Sequence, residues 1–329
     1  MDRRLGAGAV LLLAGLWGSA AQAEIGKTTA QPGEWYWGLT GSAAFTTGAT
    51  RQVAQKLGNL PTDSWENVDF DDGSIWTLGL EVGHSLADPG AWVDRLEFNF
   101  DASVSLRSAE DEEINAGLAT RDADSTVSYQ FGSNPEKVDI KGNDTQVDLE
   151  ARISFKNVLT EDDDHTLLTS IEPFFRYQSN DGQGTMSFKP QFDLSSATRE
   201  DGIDAYYVGI QAALEMEQPV AESLNLIGRA SVGVYYVDSD ISAEIEDSGF
   251  AHDGGDAIGG RFGAALGFKS PLFASGASFS IVATADYFTD VATIEHAEQS
   301  LTGPLSSTKA EFDDRLDLGA RVGIVVPLH

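Results

Sequence analysis

The chain has 329 residues, with 21 basic against 52 acidic, a formal net charge of −31 and no cysteine. Such a charge repels nucleic-acid phosphate, and without thiols there is no disulfide, lipoprotein anchor or thiol chemistry. No mature segment reaches the ~18 consecutive apolar residues of a membrane helix, which leaves spanning by strands open, because every second strand residue can be polar.

Arg3 and Arg4 precede an apolar run from Leu5 to Trp17, and Ala21-Gln22-Ala23 is an A-x-A cleavage site. This pattern predicts a cleaved signal peptide over 1–23, a periplasmic N-terminal segment over 24–32 and one β-barrel over 33–329. The first strand runs from Trp35 to Phe45 and the second from Trp76 to His84. The third is the clearest. Leu96, Phe98, Phe100, Ala102, Val104 and Leu106 alternate with Arg95, Glu97, Asn99, Asp101, Ser103 and Ser105. Side chains in a strand alternate faces, so one face is oily and the other wet. A globular strand usually has about five or six residues, whereas a tilted strand crossing a bilayer needs roughly 9–11.

Seven further strands repeat the pattern. Their apolar faces are carried by Val147, Leu149, Ala151, Ile153 and Phe155; then Leu167, Thr169, Ile171, Phe175 and Tyr177; then Tyr206, Val208, Ile210, Ala212, Leu214 and Met216. Next come Leu224, Leu226, Ala230, Val232, Val234 and Tyr236, and then Phe262, Ala264, Leu266 and Phe268. Phe279, Ile281, Ala283, Ala285 and Tyr287 mark the ninth strand, and alternate residues from Leu316 to Leu328 mark the last. None of these faces carries a charge. Long connections near 47–73, 108–143, 179–203, 239–257 and 290–311 alternate with short ones, and aromatics gather at strand ends. A soluble sandwich has neither feature, whereas outer-membrane barrels have short periplasmic turns, longer external loops and aromatic girdles. The fold class is all-β: a transmembrane antiparallel up-and-down barrel of ten strands. Eight or twelve are the other even counts, since Val127, Tyr129 and Phe131 alternate inside the second long connection. Pro173 removes a ladder hydrogen bond within the fifth strand, where a bulge is expected.

Two strands carry a family resemblance. Trp35-Tyr36-Trp37-Gly38, followed by alternating small and apolar residues, resembles the first strand of outer membrane protein A and opacity-type barrels of Gram-negative bacteria. Gly79-Leu80-Glu81-Val82-Gly83 resembles their second strand. The resemblance implies a porin-like outer-membrane barrel with both termini periplasmic and long loops extracellular. Its surroundings would be outer-membrane lipid and lipopolysaccharide, and its assembly would use the barrel-insertion machinery. Family members often end in an aromatic, whereas this chain ends Val326-Pro327-Leu328-His329.

The wet faces supply the candidate chemistry. They carry Arg95, Arg152, Arg176, Arg229, Arg261, Arg315 and Arg321, together with Glu81, Glu97, Asp101, Asp148, Glu150, Glu172, Glu215, Asp286 and Asp317. A ten-strand lumen is narrow, and an unpaired buried charge is costly, so these groups are expected to form a lumen charge network. The functional alternative is a charged constriction that selects small solutes. The long connections hold most of the acidic excess. Glu110, Asp111, Glu112 and Glu113, with Asp238, Asp240, Glu244, Glu246 and Asp247, form oxygen-rich runs suited to weak Ca2+ or Mg2+ binding or to a basic surface partner. No other cofactor is expected. His252 and His296 fall on the external side, His84 and His165 on the periplasmic side. His252 with Asp253 and Asp256 offers an Asp/His pair of the kind used by omptin-type surface proteases, which also have ten strands. No Gly-x-Ser-x-Gly elbow is present. The leading expectation is a non-catalytic barrel with a structural or surface-interaction role. A narrow diffusion channel and an omptin-like protease are the alternatives.

Overall fold

In a computed structural model the described residues are 33–48, 52–57, 65–69, 74–90, 92–114, 119–121, 127–129, 137–161, 165–189, 197–245, 249–272, 276–296 and 308–328. Residues 1–32, Glu246, Asp247 and His329, on which the expected signal peptide and part of the acidic run fall, lie outside them. In chain order the strands are β1 (Trp35–Gly48), β2 (Gln52–Leu57), β3 (Trp65–Asp69), β4 (Ser74–Gly90), β5 (Val93–Ile114), β6 (Ala119–Arg121), β7 (Val127–Tyr129), β8 (Lys137–Glu161), β9 (Thr166–Lys189), β10 (Ala197–Ala221), β11 (Leu224–Ile245), β12 (Gly249–Leu272), β13 (Ala277–His296) and β14 (Thr308–Leu328). Ten of them close into one antiparallel barrel, with β1 bonded to β4 on one side and to β14 on the other. Closure pairs each barrel strand on both sides through the apolar belt, as lipid requires. The pairs β2–β3 and β6–β7 are small separate hairpins inside the first two long connections.

The strands are longer than the sequence pattern implies. Most of the expected connections at 108–143, 239–257 and 290–311 are strand: β5 continues to Ile114, β11 ends at Ile245, β12 begins at Gly249, and β13 reaches His296. Strands of 20–25 residues exceed a bilayer span of about 9–11, so the barrel wall projects beyond the bilayer on its loop side. Above the bilayer, alternation continues without lipid to impose an apolar outer face.

The outward faces match the oily sets read from sequence. Phe98, Phe100, Val104, Ile171, Phe175, Val208, Ile210, Val232, Phe262, Leu266, Ile281 and Ile324 are all exposed. Tyr177, Tyr206, Tyr236 and Tyr287 cap this belt on the loop side, and Tyr177 and Tyr287 donate to Asp204 and Asp314 just outside it. On the opposite rim Trp35 stacks on His84 with centroids 4.6 Å apart.

Large inward rings require missing side chains opposite. Tyr36 faces Gly83 across the β1–β4 ladder, Phe174 faces Gly209, and Tyr235 faces Gly259. A Cβ at any of the three glycines would overlap the facing ring. The Tyr36 hydroxyl donates onward to Asn99 Oδ1 on β5. The first-strand and second-strand motifs are thus two halves of one packing unit.

Two local features depart from expectation. No bulge forms at Pro173. The β8–β9 ladder omits the bonds beside it and resumes in the same register at Phe155↔Ile171, while β9–β10 runs through Ile210↔Pro173. Proline costs only the bond its missing N–H would have made. The second feature is in β13. Its ladder with β12 stops at Arg261↔Phe288, its register on β14 shifts between Phe288 and Val291, and Asp290 has φ 56°. Beyond this pivot Val291, Ala292 and Ile294 are buried, packed with Ile203, Ala205, Tyr207, Tyr235, Val237 and Ile241. The end of β13 therefore turns into the barrel mouth. The pivot is held by Tyr235 Oη donating to Thr289 O, and by Gly260 N donating to Thr289 Oγ1 at 2.7 Å. β2 lies close to β8, β9 and β13, which stand on opposite walls, so it crosses the same mouth.

Phe100→Arg, on the lipid face, is expected to cost about 2–4 kcal/mol of folding free energy in vesicles, measured by urea titration. Gly83→Ala is expected to cost about 1–3 kcal/mol by overpacking, and a Tyr36→Leu, Gly83→Ala double variant should recover part of that loss.

Candidate functional site

Every second residue of each barrel strand points inward, and in the middle of the barrel most of those residues are charged. Neighbouring rows bring them together. Lys156 Nζ lies 3.0 Å from both Glu97 on β5 and Glu215 on β10. Glu215 also accepts from Arg229, whose other terminal nitrogen donates to Glu172 Oε2 at 2.7 Å. Glu172 accepts further from Gln211 at 2.6 Å and from Ser170. Arg152 stands among Asp101 at 3.4 Å, Glu150 at 3.6 Å and Glu172 at 3.7 Å. Glu150 reaches Arg261 on β12 at 3.5 Å. A single chain of ion pairs thus runs Glu97–Lys156–Glu215–Arg229–Glu172–Arg152–Glu150–Arg261 and ties β5, β8, β9, β10, β11 and β12 across the lumen. All of these residues are buried, and Glu172 has no exposed surface.

The network has a floor and a roof. Toward the short turns, Leu168, Ile227, Val282, Val325 and Tyr36 are buried, and Lys269 Nζ pairs with Glu217 at 2.9 and 3.0 Å. Toward the loops, Arg176 donates to Asp148 Oδ1 through Nε at 2.9 Å and Nη2 at 2.6 Å. Arg315 forms a bidentate pair with Asp317, both contacts at 3.0 Å. Arg261 stacks over Phe174 and Phe288, at 5.7 and 5.5 Å from their centroids. The inturned end of β13 lies above.

The expected charge set is largely brought together. Arg95 differs: it is half-buried at the end of β5, opposite Lys156 in register. Lys156 and Lys269 are buried, paired cations of the lumen absent from the sequence reading, although both have inward parity. The upper apolar lining from Ile203 to Ile294 is also absent from it, because Ile203, Ile241, Val291, Ala292 and Ile294 fall in the expected long connections.

The acidic runs take a different form. Asp238 and Asp240 are exposed on the outer face of β11, opposite Asp256 and Asp204 in register. The backbone of Glu110–Glu113 belongs to β5, facing Lys141–Val138 of β8, and Glu244 belongs to β11. Among the described residues no group of three or more His, Asp or Glu side chains is arranged to hold a metal ion. The Asp/His pair is not assembled either. His252 and Asp253 are consecutive strand residues on opposite faces, with His252 exposed and Asp253 accepting from Ala310 N at 3.1 Å. Asp256 is four residues from His252 along one strand, roughly 13 Å at 3.3 Å per residue.

No protein-family model matches the chain, and no curated protein matches it. Among solved structures it is similar to the outer membrane protease OmpT from Escherichia coli, at 8% identity and TM-score 0.46, over 94% of this chain and 100% of that one. It is similar to a Pseudomonas aeruginosa FadL homologue at 9% identity and TM-score 0.26, over 95% and 99% of the two chains. It is similar also to the translocator domain of the autotransporter NalP from Neisseria meningitidis at 12% identity and TM-score 0.26, over 98% and 94%. These are likenesses of barrel fold.

Removing one member of a buried ion pair typically costs about 3–5 kcal/mol, because its partner is left charged in a dry site. Glu172→Leu is expected to lose that much in urea titration from vesicles, and a Glu172→Leu, Arg229→Met double variant should lose less than the sum of the two single changes.

Proposed function

We propose that the protein is a bacterial outer-membrane barrel whose lumen stays shut to solutes and whose role is structural or one of surface interaction. The observation that supports this reading is the continuous ion-pair chain from Glu97 to Arg261, buried across the middle of the lumen. A selective pore needs charge rings exposed to a water column. Here the charges are spent on each other. The apolar packing of Val291, Ala292 and Ile294 against β10 and β11 narrows the outward mouth further.

The outer surface agrees with this reading. The apolar belt ends in tyrosines, and exposed carboxylates at Asp204, Asp238, Asp240, Asp256 and Asp314 begin directly above them. We read that rim as solvated wall presented to the exterior, with the short turns and both ends of the barrel sequence on the periplasmic side. Kinship with outer membrane protein A-type barrels rests on the Tyr36–Gly83 packing unit of the first two strands.

In planar bilayers the purified protein is expected to give no steady conductance, whereas Arg152→Ala or Arg261→Ala should produce leak currents. Stable ion-selective steps from the unmodified protein would instead establish a diffusion channel.

A further inference from the structure

Above the apolar belt β12 keeps only one of its two neighbours. Its ladder with β11 runs from Asn225↔Lys269 to Ile245↔Gly249. Its ladder with β13 ends at Arg261↔Phe288, because β13 pivots at Asp290 and turns into the mouth. Among the described residues no other strand pairs with 249–260 on that side. The end of β14 follows β13 inward. Phe312 and Ala310 lie against the inner face of β12 at Gly255, and Ala310 N donates to Asp253 at 3.1 Å. The inner face of β12 is thus covered there, while its edge is left open.

Alternation fixes which backbone groups leave that edge. In an antiparallel ladder the N–H and C=O of one residue point to the same side, and the side changes at each residue. Gly260 N points to the β13 side, where Thr289 Oγ1 accepts from it at 2.7 Å. Gly255 O points to β11, where Ser239 Oγ donates to it at 3.3 Å. Both contacts give the same phase: Gly254, Asp256 and Ile258 turn their N–H and C=O groups to the open edge. All three residues are exposed, Ile258 by 72%. Such a row of strand donors and acceptors is a template for an added strand.

The side chains beside the edge select the strand that fits. On the outer surface Asp256 stands next to Asp238, and Gly254 next to Asp240 and then Asp204. A Cβ at Gly254 would lie 3.1 Å from Asp240 Oδ1, so this carboxylate leans over the glycine toward the edge. A second copy of the same edge would set carboxylate against carboxylate, which is destabilising. A strand with Lys or Arg at alternate positions places one cation beside Asp256. The next cation, on a backbone about 4.8 Å from β12, lies across Gly254 and reaches Asp240.

We propose that the open edge of β12 docks an extended basic segment of a partner protein as an added strand, with its cations on Asp256 and Asp240. The assignment rests on the reading of this rim as external wall and gives the surface-interaction role its partner chemistry. It does not require a sealed lumen.

The test is fluorescence anisotropy on the full chain in nanodiscs of zwitterionic lipid, with the labelled heptapeptide Val-Lys-Thr-Lys-Thr-Lys-Val as probe. This peptide is expected to bind saturably. Its fully N-methylated analogue keeps the charge and loses every backbone donor, and its glutamate-for-lysine analogue keeps the backbone and inverts the charge. Each should bind roughly tenfold more weakly or worse. An Asp240→Asn, Asp256→Asn double variant should weaken the lysine peptide roughly three- to tenfold, the value of two exposed ion pairs. Glu222→Gln, in the short β10–β11 turn, should leave binding unchanged. Absence of binding would overturn the proposal, as would equal binding of the N-methylated peptide or no loss in the double variant. A dimer that the peptide does not displace would overturn it in favour of a second copy. The external placement is checked separately: His252→Cys should react with a membrane-impermeant thiol reagent on intact cells. No reaction there would overturn that placement, whatever the peptide does in nanodiscs.

Discussion

The carboxylate of Glu172 joins two guanidinium groups that would otherwise face each other in a dry lumen. It accepts from Arg229 and stands beside Arg152, while Gln211 and Ser170 fill its remaining lone pairs. A barrel of ten strands leaves too little width for water to solvate such groups separately. Once alternation places a charge inside, it must find a partner from another strand, because the interior gives it no bulk water. The registers of β5, β8, β9, β10, β11 and β12 are therefore coupled to one another through the same chain of ion pairs. A slip of one residue in any ladder would turn lumen charges into lipid and lipid-facing aromatics inward.

The same period-two rule is used differently at different heights. At bilayer depth the wall is apolar outside and ionic inside. Above it the outer face carries Asp204, Asp238, Asp240 and Asp256, while the inner face carries Ile203, Ala205, Val237 and Ile241. The polarity of the wall inverts where the solvent outside changes from lipid to water. Above that level the protein has the core of a soluble β-barrel, which the end of β13 enters after its pivot at Asp290. The glycines opposite Tyr36, Phe174 and Tyr235 fit this scheme, since a wide ring fits a narrow lumen only where the facing wall lacks a side chain.

Much of this fold was legible in the sequence. The ten apolar faces, the order of long and short connections and the inward charge set all follow from alternation alone. The loops were read too long because inversion of polarity hides strand continuity: Asp238-Ser239-Asp240-Ile241 looks like an acidic loop until Ser239 and Ile241 are known to face inward. Lys156 and Lys269 escaped notice because they lie near strand ends, where the outward face is no longer fully apolar. The turn of β13 into the mouth had no sequence signal, since it depends on Gly259, Gly260 and Tyr235 of other strands meeting Thr289. The Asp/His pair failed for the opposite reason: adjacency in sequence, within a strand, sends the two side chains to opposite faces.

The chain has no cysteine, so a single introduced thiol reports its own surroundings. Ser103 lies inside the barrel beside the Asp101 row and is buried. Ser103→Cys, reconstituted in sealed vesicles, should resist a membrane-impermeant thiol reagent added to either side and react fully after unfolding in urea. Rapid labelling of the folded protein from either side would contradict a lumen sealed by its own ion pairs.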